Sequence, residues 1–320
     1  MLTIIQKDIS RPSEYMLFDI RKLELNSYIL FDIFIKKEDG FVIVVHSGTL
    51  LTQVMYQKLQ KQNRLYIQTK NHTSKELNCA SLQEYVSLNI GLNETVLNFL
   101  YKVQIKNYPS LLNDTYSENT THCMKNIVHT LIYIIKEKKN FLKESMQYFS
   151  AEYKLEIHSL HVAIYAVNLA YILKFNDEEL FQVGLSGLLH DIGVKTIDDD
   201  ILLKNSKLDT KELQTIQKHP KESAIIAKHN HIHDPYIIDA IMHHHERYDG
   251  SGYPDKLLKN QIGKFAAILC ICDTFDALTN NRPYRKKFTS FEALKFMLQD
   301  KTMIGKYNNK YLQVFLNSLI

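Results

Sequence analysis

Residues 244–254 read HHERYDGSGYP, and this stretch limits the fold more than any other. Two adjacent imidazoles and the carboxylates of Glu246 and Asp249 stand beside a Gly-X-Gly turn that closes on Tyr253 and Pro254. Imidazoles and carboxylates side by side are metal-binding chemistry, and glycine lets backbone approach a ligand closely. Upstream, His190 and Asp191 end an apolar helical run containing Leu180, Val183, Leu185, Leu188 and Leu189. A buried polar group is costly unless hydrogen bonds or a metal satisfy it. The chain must therefore fold so that these groups meet partners, and His158, His219 and Asp273 are the other candidates.

Composition sets outer bounds. With 320 residues, 45% of them hydrophobic and 23% charged, the chain has the make-up of a globular protein of one large or two ordinary domains. Its 39 basic and 35 acidic residues leave a net charge of +4, too mild and dispersed for a DNA or RNA binder. Four cysteines, Cys79, Cys123, Cys270 and Cys272, are too sparse for a disulfide scaffold and read as small apolar fillers in a reducing cytoplasm. Lys7 and Asp8 come too early for a secretory apolar core. The longest greasy run, Ala163–Leu173, is broken by Asn168, so no membrane span is expected.

The first 70 residues carry the strand signals. Phe31–Ile35 and Phe41–Val45 flank the turn-forming Lys36–Gly40 and read as a hairpin. Leu51, Val54, Met55 and Leu59 recur at helical spacing, and Arg64–Thr69 returns as a strand. From Ser81, with Glu84 completing a capping box, the period is helical through Tyr101, with Gly91 a candidate interruption. Asn107–Thr121 is rich in turn formers and reads as a linker. A helix is expected from Cys123 to Tyr148, with Ile127, Leu131, Ile134 and Ile135 on a core-facing stripe. The alternative for that stripe is a signal-transmitting or dimerising connector.

Ten of the fourteen histidines fall between His158 and His245. His158 and His161, at i and i+3, share a helix face, so spacing leaves both open. Asn176 with Glu179, and Asp209 with Glu212, cap two further helices. The second carries His219, and Pro220 is expected to break it. His229, His231 and His233 sit in the polar KHNHIHD segment and read as a solvated loop. Asp234 and Pro235 start the helix leading to His244, with His243 a bystander. Asp249 is expected to fix the turn or orient a ligand, and Asp276 to hold a neighbouring helix end. Thr289–Glu292 caps a last helix, with the tail closing the core.

Together His158, His190-Asp191-Ile192-Gly193, His219, HHERYDGSGYP and Asp273 in ICDTFDALT resemble the HD-GYP family, a branch of the HD-domain metal-dependent phosphohydrolases, over roughly residues 150 to 320. The resemblance implies a mostly α fold, an all-helical HD-domain bundle with a smaller α+β N-terminal domain. The expected division is an input or docking domain with a helical extension (1–120), a connecting helix (121–150) and the HD-GYP domain (151–320). The family pattern prefers His158 to His161. It implies His158, His190, Asp191, His219, His244, His245 and Asp273 as ligands of two divalent metals, Fe or Mn before Zn or Ni, with Asp191 the bridging catalytic carboxylate. It also implies substrate contacts from Gly252, Tyr253, Pro254, Arg282 and Arg285.

The sequence departs from the family's HDIGK signature at Val194, where the family has lysine. Lys195 follows and is the candidate for the phosphate. The activity implied is a cytoplasmic, metal-dependent cyclic di-GMP phosphodiesterase producing mainly linear pGpG, possible onward cleavage giving GMP. The alternative is a catalytically weak domain that senses the dinucleotide or acts as a protein-interaction scaffold. A protein partner or dimerisation would use the N-terminal domain or the connecting helix.

Overall fold

The computed structural model describes residues 7–8, 15–22, 28–29, 32–37, 40–45, 49–62, 64–68, 82–89, 93–113, 116–149, 154–202, 204, 206–280 and 287–319. The chain forms two compact units, Met1–Tyr85 and Val86–Ile320.

In the first unit, strands β1 (Lys7–Asp8), β2 (Tyr15–Phe18), β3 (Tyr28–Ile29), β4 (Ile33–Lys37), β5 (Gly40–Val45) and β6 (Thr49–Leu50) precede helix α1 (Gln53–Gln60) and strand β7 (Leu65–Gln68). One antiparallel sheet has the order β1-β5-β4-β7-β2, and β3 pairs with β6. The expected hairpin is β4–β5, with Ile35 opposite Val42 and Lys37 opposite Gly40. Alternation buries Phe34 and Phe41 against Tyr15, whose ring stacks on Phe41 at 3.7 Å. In α1, Thr52 caps the start and Leu59 is buried, whereas Val54 is 62% exposed and takes no part in the apolar face.

The helical series continues with α2 (Leu82–Asn89), α3 (Asn93–Asn107), α4 (Glu118–Glu137), α5 (Phe141–Ser145), α6 (Leu155–Ile172) and α7 (Asp177–Leu189). Then come α8 (Asp199–Leu202), α9 (Thr210–Ile216), α10 (His219–His229), α11 (Pro235–His243), α12 (Lys264–Thr279), α13 (Ser290–Gln299) and α14 (Asn309–Leu319). At the centre stands α6, buried on every side except for its last two residues. It packs on α3, α4, α7, α12 and α14. By length and composition it could cross a membrane, but 89% of it is buried inside the protein. A helix apolar all round suits the middle of a large core equally well.

Three expectations change here. The segment expected as a linker forms a 3-10 helix, Tyr108–Leu112, and Tyr108 is fully buried with its hydroxyl 3.1 Å from Ser159 Oγ. The turn-forming residues around it conceal two apolar anchors, Tyr108 and Leu111. The helix expected over Cys123–Tyr148 is instead α4, α5 and a 3-10 turn over Met146–Tyr148. Its stripe of Ile127, Leu131, Ile134 and Ile135 is buried in the core of its own unit. Cys123, read as an apolar filler, is disulfide-bonded, while Cys270 and Cys272 are free and buried as expected.

Candidate metal centre

Two core helices deliver the first candidate ligands. A β-carbon at Gly187, one turn before His190, would come within 2.9 Å of Ala163 Cα, so glycine permits the close approach of α7 to α6. That approach sets the rings of His158 and His190 5.2 Å apart. The capping box predicted for α7 is present, with Glu179 N–H donating to Asn176 and Asn176 N–H donating to Glu179. It fixes where the helix starts and therefore where His190 falls.

Helix ends orient the imidazoles. His190 follows α7, and its Nδ1 lies 2.8 Å from Gly187 O. His244 follows α11, and its Nδ1 lies 2.7 Å from Ile241 O. Carbonyls of a last helical turn lack intrahelical donors, and here they take the Nδ1 protons. His219 Nδ1 meets Ile216 O, at the end of α9, at 2.7 Å. Pro220 therefore does not break the helix that carries His219; it occupies the first turn of a new one, α10, where its missing N–H costs nothing. In all three residues the Nε2 lone pair is left to face inward.

Asp191 stands between two groups. Its Oδ1 is 3.1 Å from His219 Nε2 and 3.5 Å from His244 Nε2. Its Oδ2 is 3.4 Å from His158 Nε2 and 3.5 Å from His190 Nε2. Asp273 spans similarly, with Oδ1 3.3 Å from His158 Nε2 and Oδ2 3.8 Å from His245 Nδ1. All seven predicted ligands converge, as Asp191, His219, His244 and His245 in one set and His158, His190 and Asp273 in the other. Within each set the donor atoms lie within 4.8 Å of one another.

The donor chemistry fits divalent cations. His190 Nε2 and Asp191 Oδ1 are buried without an aligned hydrogen-bond partner, which a native core rarely tolerates. Nitrogen and carboxylate donors without thiolate suit Fe, Mn, Zn or Ni. Burial pushes the Asp191 carboxyl up, but His190, His158 and His219 more than offset this and hold it well below the usual range. Asp273 is likewise lowered, its burial outweighed by His158 and His245. Burial prevails at His244 and His245, and both are lowered, His245 strongly. His158 and His219 are raised, because the carboxylates beside them overcome burial.

Surrounding residues resolve the ambiguities left by sequence. Asp276 does not hold a neighbouring helix end: its Oδ2 lies 2.7 Å from His158 Nδ1 and its Oδ1 3.0 Å from His161 Nδ1. The two differ at Nε2: that of His158 faces Asp191 and Asp273, whereas that of His161 lies 2.7 Å from Tyr101 Oη, so His158 joins the candidate ligand set and His161 stands behind it. His243 is a bystander as expected, with its two ring nitrogens 2.8 Å from Asp239 and 3.1 Å from Asp255. His229, His231 and His233 are exposed. Asp249 fixes the turn by accepting from Ser251 N–H and Oγ–H.

Two supports were missed. Glu246, 1% exposed, accepts from the N–H groups of Asp255 and Leu257 and so orders the loop after Pro254. Arg247 donates to Thr274 Oγ1 and Cys270 Sγ on α12, tying the His244–His245 turn to the helix that carries Asp273. Their place in the HHER run was the available signal.

The substrate-side expectations divide. The ring of Tyr253 lies 4.7 Å from that of His245, beside the metal ligands, and Pro254 is exposed next to it. At Gly252 a β-carbon would lie 2.4 Å from Arg247 N and 2.6 Å from His245 O. Its close approach is therefore to the candidate ligand turn of its own chain, and of the two glycines of the turn Gly250 has a positive φ, at +78°. Lys195 is exposed, and its Nζ lies 3.0 Å from Glu156 Oε1. Arg282 and Arg285 lie outside the described residues.

The HD domain profile matches residues 129–307, more than half of the chain and every ligand above. The chain belongs to the HD domain family. This HD-domain chain is 37% identical over 143 residues to the cyclic di-GMP phosphodiesterase PA4108 of Pseudomonas aeruginosa, across 45% of the chain and 34% of that protein. It is 32% identical over 145 residues to 3'3'-cGAMP-specific phosphodiesterase 2 of Vibrio cholerae, across 45% of the chain and 28% of that protein. The chain thus spans about a third of these relatives' length. In fold it resembles Bd1817, a HDG"Y"P protein from Bdellovibrio bacteriovorus, with a TM-score of 0.61 at 19% identity over 96% of this chain and 99% of that one.

Proposed function

We propose that this chain is a metal-dependent phosphodiesterase that opens cyclic di-GMP mainly to linear pGpG. The observation that carries the reading is the division of Asp191, one carboxylate oxygen toward His219 and His244 and the other toward His158 and His190. That arrangement suits two divalent cations, Fe or Mn first, held by His158, His190 and Asp273 on one side and His219, His244 and His245 on the other, with Asp191 shared. When bound, such cations polarise phosphate oxygens and bring the pKa of water down towards about 7. The chain's own work is positional. The helix-end carbonyls and Asp276 hold Nδ1 protons so that Nε2 atoms face inward, and Tyr253 offers a ring beside the site for a guanine. Lys195, and Arg282 and Arg285, supply cations for the phosphates.

The names of the relatives support a cyclic dinucleotide as substrate. The unit Met1–Tyr85 would be the input or docking module. A sensor with weak catalysis is the second reading, favoured by Val194 in place of the family lysine and by the ion pair that engages Lys195. The test is anaerobic purification with metal quantification, then product analysis with cyclic di-GMP and, in parallel, 3'3'-cGAMP. Metal bound with linear dinucleotide formed supports the enzyme; dinucleotide bound and left intact supports the sensor.

A further inference from the structure

A string of hydrogen bonds runs from α3 to the metal centre. Tyr101 Oη lies 2.7 Å from His161 Nε2, His161 Nδ1 lies 3.0 Å from Asp276 Oδ1, and Asp276 Oδ2 lies 2.7 Å from His158 Nδ1. All four side chains are buried, Tyr101 the most exposed at 7%. An ionised carboxylate can only accept, so both Nδ1 atoms carry protons, and in a neutral imidazole the other nitrogen is then an acceptor. The directions are thereby set: Tyr101 donates to His161, and His161 and His158 both donate to Asp276. His158 Nε2 stands on the side of Asp191 and Asp273.

Packing holds the middle of the string. The ring of Phe149 stacks on His161 with centroids 4.3 Å apart and planes 9° apart, and Tyr101 meets the same ring edge-on at 5.6 Å. Asn280 Nδ2 also donates to Asp276 Oδ2, at 2.6 Å. With its other oxygen held by His161, the carboxylate has little freedom to rotate away from His158. Tyr101 stands outside residues 129–307, the part that matches the family profile.

We infer that Tyr101 and His161 are positioning residues for the metal ligand His158, so that the helical segment preceding the HD domain helps set the metal affinity of the site. The inference rests on the metal-centre reading above. Partners behind a metal-ligating histidine fix its ring and raise its basicity, and losing one costs about 10- to 100-fold in metal affinity. Tyr101 acts through two intermediaries, so the lower end applies.

The test uses the full chain as wild type, Tyr101→Phe, His161→Asn, His161→Ala and the Tyr101→Phe/His161→Ala double variant. Mn(II) affinity is read by chelator competition, and the visible absorption of the Co(II)-loaded chain reports ligand geometry. Tyr101→Phe should weaken binding about tenfold and alter the cobalt bands. His161→Ala should weaken it further, and His161→Asn, whose amide can still donate to Asp276, should fall between wild type and His161→Ala. The double variant should match His161→Ala within about twofold, because Tyr101 reaches His158 through His161. Unchanged affinity and cobalt bands in Tyr101→Phe, or independent multiplication of the two effects, would overturn the inference. A wild-type chain that binds neither metal overturns the metal-centre reading itself, and a wild-type result therefore separates the two failures.

Discussion

Lys195 and Glu156 form an ion pair, Nζ to Oε1 at 3.0 Å, joining the 3-10 turn that follows Asp191 to the first turn of α6. The lysine that the HDIGK signature places at position 194 is displaced by one residue, and the ammonium is held at the entrance of the helix that carries His158. Lys195 is 39% exposed, so the pair contributes less than about 1 kcal/mol to stability. Lys195→Ala should leave Tm nearly unchanged while lowering kcat/KM for cyclic di-GMP roughly tenfold if Lys195 leaves Glu156 to meet developing phosphate charge, as its proposed role requires. Val194→Lys should add little. Steady-state kinetics of both variants decide the matter, and equal turnover in all three chains would mean that no lysine here serves the reaction.

Asp191→Ala removes the carboxylate shared by four imidazoles. Metal affinity should drop by more than about 100-fold, since the loss exceeds that of an outer partner, and hydrolysis should disappear. The apolar packing of α7 is untouched, so far-UV circular dichroism should remain that of a folded helical protein. Full metal content with full turnover in the variant would sink the assignment.

Gly252→Ala tests the loop. The added methyl would meet backbone atoms of Glu246 and Arg247 at 2.5 and 2.4 Å, and overpacking of this kind costs about 1 to 3 kcal/mol. The strain falls on the turn that carries His244 and His245. Lower Tm and lower metal occupancy should appear together. A variant with full metal and reduced dinucleotide affinity would instead return the glycine to a direct substrate role.

Glu179 links stability to pH. Lys264 and the Asn176 N–H hold its carboxyl below the ordinary glutamate value. A depressed folded pKa gives stability that is present above the unfolded value, about 4.3, and is lost as pH falls through the folded value. Glu179→Gln keeps the capping hydrogen bond but not the charge. It should be less stable than wild type by about 0.5 to 1 kcal/mol at pH 7, and equal to it once the pH is below the folded value. Urea titrations at pH 7 and at a series of lower pH values follow the difference; a gap that persists unchanged into acid would contradict the linkage.

The extent of hydrolysis follows from Lys154. Some family members carry a glutamate four residues before the first ligand histidine, able to help hold a third metal; here that position is Lys154, the exposed N-cap residue of α6. Glu156, the nearest carboxylate along the helix, already faces Lys195. A site holding two cations rather than three would grip the terminal phosphate of the linear product less firmly, and pGpG should accumulate before GMP appears. A time course with metal per chain measured on the same sample checks this. Three metals per chain, or GMP without a lag, would refute it.

The sequence by itself determined many of the elements and the inventory of candidate ligands. Asn176 with Glu179, Asp234 with Pro235, and the strand runs around Gly40 act through contacts within a few residues, so local spacing is enough to read them. The histidines and carboxylates stood out because charge inside an apolar run must be satisfied. Tertiary structure alone decided what depends on distant parts of the chain meeting. His158 and His161 lie on one helix face, and only the meeting of His158 with Asp191 and Asp273, and of His161 with Tyr101, tells the candidate ligand from the residue behind it. Tyr108 sits among turn formers, and only packing against Ser159 turns an expected linker into core. Gly252 reads as a loop glycine, yet its neighbours are the backbone atoms of the ligand turn. Each outcome rests on contacts between side chains far apart in sequence, whose geometry is set by helix packing and is absent from any local pattern.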